Sequence, residues 1–290
     1  MESLWVEKYR PDGLEDMALA DQLRKDADGW ISKGEIPNLL FIGRPGTGKT
    51  TLARILGKKT NAVMLVIDAS DDRGIDTIRN RVKTFAQTKT ISDHAKIVFL
   101  DEADGLTKDA QNSLRNIMET FSDITRFILS VNIEEKIIEA LHSRCKLVRF
   151  LGANEDQIYA KLENILLNEG VAFEPKDLNT LVERHFPDMR SMISVMENSI
   201  PDFRLVLPKI DVGPIIKGLL SKDLRKVREL SNGYDYNVLY RMLFDNLAAF
   251  PAASRVRILL TLAEYQFRNV FGLDKEINFV ACAVKLMELI

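Results

Sequence analysis

The residues from Gly43 to Thr50 have the types and spacing of a phosphate-binding loop. They match Gly-x-x-x-x-Gly-Lys-Thr, with the apolar run Asn38–Ile42 before them and a helical pattern from Leu52 after them. In that setting backbone N–H groups point at a phosphate, Lys49 reaches the β- and γ-phosphates, and the Thr50 hydroxyl binds Mg²⁺. The loop residues expected to bind the nucleotide are Gly43, Pro45, Gly46, Thr47, Gly48, Lys49, Thr50 and Thr51.

Two carboxylates, Asp101 and Glu102, end the apolar run Ile97–Leu100. Asp101 is the expected indirect partner of Mg²⁺, acting through water or behind the direct ligands, and Glu102 is expected to polarise the attacking water. An acidic pair at the end of a strand is common by itself. Together with the Lys49 loop in the same α/β unit, the pair predicts that ATP is hydrolysed as well as bound.

The acidic segment continues with Ala103-Asp104 and so spells the signature of DEAD-box helicases. Such helicases also need a Ser-Ala-Thr motif and a second motor domain with an arginine-rich motif. Here the next strand ends in Ser130-Val131-Asn132, and the helical remainder is too short for a second motor. The helicase interpretation is therefore disfavoured.

Two further polar residues follow strands of the same unit. Asn132 would lie beside the γ-phosphate and hold the water if its strand neighbours the loop strand; the alternative is a turn asparagine. Arg144, just before the last strand, is either an arginine supplied to the γ-phosphoryl group or a solvated surface charge. Spacing alone leaves both pairs of alternatives open.

A helix is predicted after Ala69–Asp76, with an apolar side and a small basic face. The apolar positions are Ile75, Ile78, Val82 and Phe85, and the basic ones are Arg79, Arg81 and Lys83. The basic face is either a DNA contact or merely solvated.

The element pattern predicts an α/β unit followed by helices. Five short apolar strands alternate with helices between Asn38 and Phe150, which indicates a parallel sheet covered on both faces. The nucleotide then lies at the carboxyl ends of the strands. Beyond residue 151 only helical patterns occur, and a proline-containing stretch divides them. We therefore expect three domains, 1–151, 152–211 and 212–290.

Composition limits the function classes. The 290 residues carry a net charge of −2, so nucleic acid contact requires a local basic patch. Cys145 and Cys282 match no zinc spacing and indicate a reducing compartment. The sequence begins without a signal region and contains no apolar run of about 20 residues. A soluble, cytoplasmic protein is expected, in the host cytoplasm if viral or the nucleus if eukaryotic.

In their order and spacing, these motifs together resemble the small subunits of replication factor C, the AAA+ clamp loaders of eukaryotes and archaea. The segments that carry the resemblance are Leu4–Pro11, Gly43–Thr51, Ala69–Ile75, Leu100–Asp104, Gln111–Arg115 and Ser143–Cys145. The shortened C-terminal part resembles more closely the large subunit of T-even-type phage clamp loaders. The resemblance implies an AAA+ domain, a helical lid and a helical collar that holds the subunits together.

The resemblance also implies roles for individual residues. The sequence of Leu4–Pro11 alone favours an extended arm packed on the domain. The resemblance implies instead that this arm borders the adenine and ribose, through Val6, Tyr9 and Arg10. Arg144 should enter the neighbouring subunit's ATP site, and Arg190 should reach the γ-phosphate of its own. Arg73, Arg79 and Arg115 should follow primer–template DNA or link it to Glu102, and Lys83 of the basic helix face is expected to contact the DNA with them.

The implied activity is that of an ATPase subunit in a sliding-clamp loader. ATP binding would open the clamp, and DNA-stimulated hydrolysis would release it on primer–template DNA. The implied partners are identical or homologous subunits in an open ring, a smaller or different fifth subunit, the clamp and the DNA. Two alternatives stay open: another AAA+ DNA motor, such as a branch-migration ATPase or helicase loader, and an assembly subunit that binds nucleotide without hydrolysing it.

Overall fold

The computed structural model describes residues 4–71, 74, 76, 78–88, 95–151, 154–205, 212–271 and 274–290. The chain divides into two compact units, Met1–Leu207 and Pro208–Ile290. The three predicted domains remain a proposal, because the first two lie within one compact unit. Among the described residues, no helix is long and apolar enough to cross a membrane.

The first unit is built on a five-stranded parallel sheet, as the alternating pattern predicts. Its strands are β1 (Leu39–Gly43), β2 (Val63–Asp68), β3 (Lys96–Asp101), β4 (Thr125–Val131) and β5 (Lys146–Phe150). They are arranged in the order β2-β3-β4-β1-β5. Because β1 lies between β4 and β5 while β3 adjoins β4, the segments that follow β1, β3 and β4 meet at one edge of the sheet.

Helices cover both faces of the sheet and continue beyond it. Those of the α/β part are α1 (Trp5–Lys8), α2 (Asp21–Lys33), α3 (Lys49–Lys59), α4 (Lys83–Gln87), α5 (Lys108–Thr120) and α6 (Glu139–His142). A π-helical turn, Ile78–Val82, leads directly into α4. The helices that follow the sheet in the first unit are α7 (Glu155–Asn168), α8 (Pro175–His185) and α9 (Met189–Glu197).

The second unit is helical throughout its described residues. Its helices are α10 (Gly213–Leu220), α11 (Leu224–Ser231), α12 (Tyr236–Asp245), α13 (Arg255–Phe271) and α14 (Lys275–Leu289). Their apolar sides form one core around Tyr240, Phe250 and Phe279. The α/β part has two cores, one on each face of the sheet, because its strands are buried on both sides.

The prediction of an extended N-terminal arm is wrong for Trp5–Lys8, which form a helical turn. The turn brings Trp5 and Tyr9 onto one side, where their rings meet edge to face at 6.3 Å. Both side chains pack with Val6 against the apolar cluster of α7, α8 and α9. Packing on these helices, rather than local preference, therefore determines the conformation of the arm.

Candidate functional site

The phosphate loop joins β1 to α3 and has the backbone that its glycines predict. Gly46 and Gly48 adopt φ angles of 72° and 96°, in the left-handed region that favours glycine. Lys49 is the first residue of α3, so the loop ends at the N-terminus of an 11-residue helix. The N–H groups and the helix dipole at this point attract an anion.

Lys49 is enclosed within the loop and is only 6% exposed. Its ammonium group donates to the carbonyl oxygens of Gly43 and Arg44, at 2.7 and 2.9 Å, and to Oδ1 of Asn132 at 2.9 Å. Burial lowers the pKa of Lys49, although Asp101 and nearby carboxylates oppose the shift. A cation buried among neutral oxygens gains strongly when an anionic phosphate approaches.

Both carboxylate oxygens of Asp101 accept hydroxyl hydrogen bonds. Thr50 Oγ1 donates to Oδ2 at 2.7 Å, and Ser130 Oγ donates to Oδ1 at 2.6 Å. The first contact brings together the two predicted Mg²⁺ partners. Sequence reasoning missed Ser130, which is 1% exposed; the available signal was a single hydroxyl within the otherwise apolar run Phe127–Val131 of β4.

Glu102 begins the turn after β3 and is solvent-exposed. Its φ of 52° is left-handed, which is uncommon for a residue with a side chain, and its carbonyl oxygen accepts from the N–H of Gly105 at 2.8 Å. Desolvation raises the pKa of Glu102, with contributions from Asp68, Asp101 and Asp104, while Lys49 opposes the rise. A carboxylate with a raised pKa is a better proton acceptor for water.

Asn132 meets the condition stated for a role at the γ-phosphate, that its strand neighbours the phosphate-loop strand. Strand β4 pairs with β1, so Asn132 follows a direct neighbour of the phosphate-loop strand. Its side chain accepts from Lys49, and its backbone N–H donates to Oδ1 of Asp104 at 3.1 Å. Asp104 belongs both to the helicase-like signature and to a segment that carries the resemblance, but spacing alone does not predict its contact with Asn132.

A cleft of about 680 Å³ in the first unit is lined by Lys49, Asp101, Glu102, Ser130 and Asn132. The lining also includes Pro45–Gly48 of the phosphate loop, Thr50 and Thr51, whereas Gly43 is not among the described residues that line the cleft. Arg190, in the first turn of α9, reaches the cleft from the helices that follow the sheet, and its charge contributes to the lowered pKa of Lys49. Helix α7 adds Lys161, Asn164 and Asn168, which sequence reasoning missed.

The N-terminal arm forms one wall of the same cleft through Val6, Tyr9 and Arg10. The Tyr9 hydroxyl donates to Oε1 of Glu169 at 2.5 Å, and Lys8 forms an ion pair with the same oxygen at 2.6 Å. Desolvation together with Glu169 raises the pKa of Tyr9 to about 12. The arm therefore packs on the domain and also lines the cleft. The two interpretations of its sequence, a packed arm and a border of the nucleotide site, are compatible.

Arg144 is not among the described residues that line the cleft of its own chain. It follows α6, where its guanidinium forms an ion pair with Glu119 and donates to the carbonyl oxygen of Ala140 at 2.7 Å. Arg79, Lys83 and Arg115 are also outside the cleft. Arg73 lies outside the described residues.

The fold and the site together define a P-loop ATPase of the AAA class. Residues 39–153 match the family model described as ATPase family associated with various cellular activities (AAA). The solved structures that share the fold include two of Thermotoga maritima RuvB, one described as a Holliday junction branch migration motor. They align with TM-scores of 0.58 and 0.57 at 15% identity, covering 97% and 86% of this chain and 90% and 83% of those chains. At this identity the likeness concerns the fold alone.

Relatives with higher identity define the family. A replication factor C small subunit of Aeropyrum pernix is 35% identical over 97% of this chain and 94% of its own length. Small subunits of Sulfolobus acidocaldarius and Methanococcus maripaludis strain C5 are 35% and 41% identical; they align over 98% and 99% of this chain and over 96% and 99% of their own lengths. The chain belongs to the replication factor C small-subunit family and is an ATP-hydrolysing clamp-loader subunit. The predicted family is confirmed, whereas the closer likeness to phage subunits stays a prediction.

Proposed function

We propose that this chain opens a ring-shaped sliding clamp when it binds ATP and releases the clamp on primer–template DNA when it hydrolyses ATP. The observation that carries the proposal is the cleft in which Lys49, Thr50, Asp101, Glu102 and Asn132 come together. A purely structural nucleotide site needs the lysine loop but no water-activating carboxylate. The presence of Glu102 in the cleft lining therefore favours a site that hydrolyses ATP.

The residues present fit a bound Mg²⁺ ion. The hydroxyl of Thr50 and the carboxylate of Asp101 are both oxygen donors, and they lie 2.7 Å apart in the cleft. The described residues form no cluster of three or more His, Cys, Asp or Glu side chains that could hold a metal. Mg²⁺ suits such a site, because it is commonly held by one or two side chains, waters and substrate phosphates. When bound, it would neutralise charge on the β- and γ-phosphates.

Within the cleft each side chain has a distinct task in hydrolysis. Lys49 would exchange its bonds to loop carbonyls for phosphate oxygens, and Asn132 would orient the attacking water. Glu102 would accept a proton from that water, and Arg190 would contact the γ-phosphate from the lid, residues 152–211. Arg144 would act in the cleft of the next subunit of an open ring, completed by a smaller or different fifth subunit.

DNA contact is assigned to a basic surface formed by Arg79, Lys83 and Arg115. Arg79 and Lys83 are exposed, and the helix that carries Arg115 packs against the π-helical turn Ile78–Val82. The three cations therefore belong to neighbouring elements, while Ile78 and Val82 face the core. Contacts from arginine and lysine to DNA phosphates would hold the duplex without reading its sequence.

Replacing Arg79, Lys83 and Arg115 together by Ala should weaken DNA stimulation of ATPase activity at every DNA sequence tested. The slope of log affinity against log salt is negative, and each lost phosphate contact should make it less steep by about 0.9. DNA affinity measured over a range of salt concentrations gives that slope. Lys58→Ala, which removes an exposed lysine of α3, serves as the control. A slope that is the same in the triple variant and the native chain would contradict this assignment.

The collar, residues 212–290, is assigned to subunit association. Along α13, Val256, Leu260 and Phe267 are 68%, 65% and 67% exposed, at intervals of four and seven residues. Such spacing aligns apolar side chains on one face of a helix. An exposed apolar face of this kind is typical of a protein–protein contact.

Leu260→Asp should therefore weaken assembly by about tenfold or more, because a leucine buried at an interface contributes about 1.5–3 kcal/mol. Analytical ultracentrifugation at several protein concentrations measures the association. The melting temperature of the chain should be unchanged, since the side chain is already exposed. Leu167→Asp, at a leucine 63% exposed on α7, is the matched control. Equal association of the two variants would refute the collar assignment.

The overall proposal is tested by ATP hydrolysis in the assembled complex, with and without a cognate clamp and primed DNA. Hydrolysis should be weak in the complex alone and highest when both are present. If DNA alone gives full stimulation and the clamp changes nothing, the ATP site stands but the chain serves another DNA motor.

A further inference from the structure

The tip of the phosphate loop is joined directly to the first turn of α9. The backbone N–H of Met189 donates to the carbonyl oxygen of Gly46 at 3.2 Å. A Cβ atom on Gly46 would lie 1.7 Å from Oδ1 of Asp188, so the carboxylate of Asp188 occupies the space that a side chain at Gly46 would need. The glycine therefore permits two things, a left-handed φ and the close approach of Asp188.

Asp188 also fixes the start of α9. It is the N-cap residue of the helix, and its Oδ1 accepts from the backbone N–H of Ser191 at 2.9 Å. Its own N–H donates to the carbonyl oxygen of His185 at 2.8 Å. The same carboxylate thus packs on the phosphate loop and caps the helix turn that carries Arg190.

Asp188 is placed to act through its neighbours and not on the nucleotide. Pro187, Met189 and Arg190 line the cleft, whereas Asp188 is absent from the described residues that line it. Its negative charge is held at a helix N-terminus, where the helix dipole and the bond from Ser191 stabilise it. A carboxylate so held does not oppose the phosphates from inside the cleft.

We propose that Asp188 is a positioning residue that couples the phosphate loop to Arg190. This inference rests on the proposed role of Arg190 at the γ-phosphate. The loop at Gly46 and the turn that carries Arg190 are linked by the backbone bond from Met189, and the side chain of Asp188, packed at Gly46 and capping that turn, strengthens this link. This coupling would place the guanidinium of Arg190 correctly for contact with a γ-phosphate bound in the loop.

The test is a double-variant cycle on the full chain in its complex, with Asp188→Ala, Arg190→Ala and both together. Binding of ADP and of a slowly hydrolysed ATP analogue is measured by calorimetry, and kcat and KM for ATP are measured separately. Asp188→Ala should reduce the preference for the ATP analogue over ADP by about five- to tenfold, the loss expected for an N-cap. The double variant should lose no more than Arg190→Ala alone, because both changes remove one coupled interaction.

Two controls separate positioning from a general structural role. Asp188→Asn should retain the analogue preference, since asparagine caps helices as well as aspartate, and it keeps the proposal testable if Asp188→Ala does not fold. Ser191→Ala leaves the backbone cap bond in place and should also retain the preference. Additive losses in the double variant, an equal loss of ADP and analogue binding, or a lost preference in Asp188→Asn would each overturn the proposal. If Arg190→Ala itself changes neither preference nor turnover, the failure lies in the proposed role of Arg190.

Discussion

Glu102→Gln should lower the rate of ATP hydrolysis by about 10²–10⁴-fold, the contribution of a positioned general base. Nucleotide binding and clamp opening should persist, because Lys49 keeps its contact with Asn132 and Thr50 keeps its contact with Asp101. Single-turnover hydrolysis in the complex, with ATP binding measured in parallel, separates the two effects. Glu135→Gln, the same change at an exposed glutamate that does not line the described cleft, is the control.

The pH dependence gives a second readout of the same residue. A general base works when deprotonated, so hydrolysis should fall as pH decreases through the pKa of Glu102. Because that pKa is raised, the loss should begin at a higher pH than it would for an ordinary carboxyl group. Glu102→Gln should abolish this acidic limb. Unchanged turnover in Glu102→Gln would remove Glu102 from the water-activating role.

Arg144→Ala should reduce hydrolysis in the assembled complex by about 10³–10⁵-fold, the effect of an arginine supplied to a γ-phosphoryl group. In the isolated chain Arg144 is paired with Glu119 on a partly exposed surface. Such a pair is worth at most about 1 kcal/mol, so its release to a neighbouring subunit costs little against the catalytic gain. ATP affinity of the isolated chain should be unaffected, since Arg144 does not line the described cleft.

Mixing experiments establish whether Arg144 acts on a neighbour. A complex of Arg144→Ala subunits with Lys49→Ala subunits should regain turnover wherever an intact Arg144 faces an intact Lys49. Arg204→Ala, which removes another exposed, ion-paired arginine, should leave turnover unchanged. If Arg144→Ala slows hydrolysis equally in a monomer, the arginine is not supplied in trans.

Local sequence was sufficient to predict the parts of the site that depend on adjacent residues. The glycine spacing from Gly43 to Gly48 requires a loop with left-handed positions, and the Asp101-Glu102 pair must emerge where an apolar strand ends. The strand and helix alternation likewise predicted the parallel sheet, because each element carries its own periodicity. Asn132 was expected beside the γ-phosphate only if its strand neighbours the phosphate-loop strand, and the pairing of β4 with β1 meets that condition.

Only the tertiary structure decided the contacts between distant segments. Ser130 and Asp101 are 29 residues apart, and Asp104 and Asn132 are 28 apart, so their hydrogen bonds depend on strand order and on side-chain direction. The docking of the arm through Glu169 and the meeting of Asp188 with Gly46 depend on how α7, α8 and α9 pack beside the cleft. Sequence determines which side chains a segment offers; three-dimensional packing decides which of them meet, since no local pattern records the distance between segments far apart in the chain.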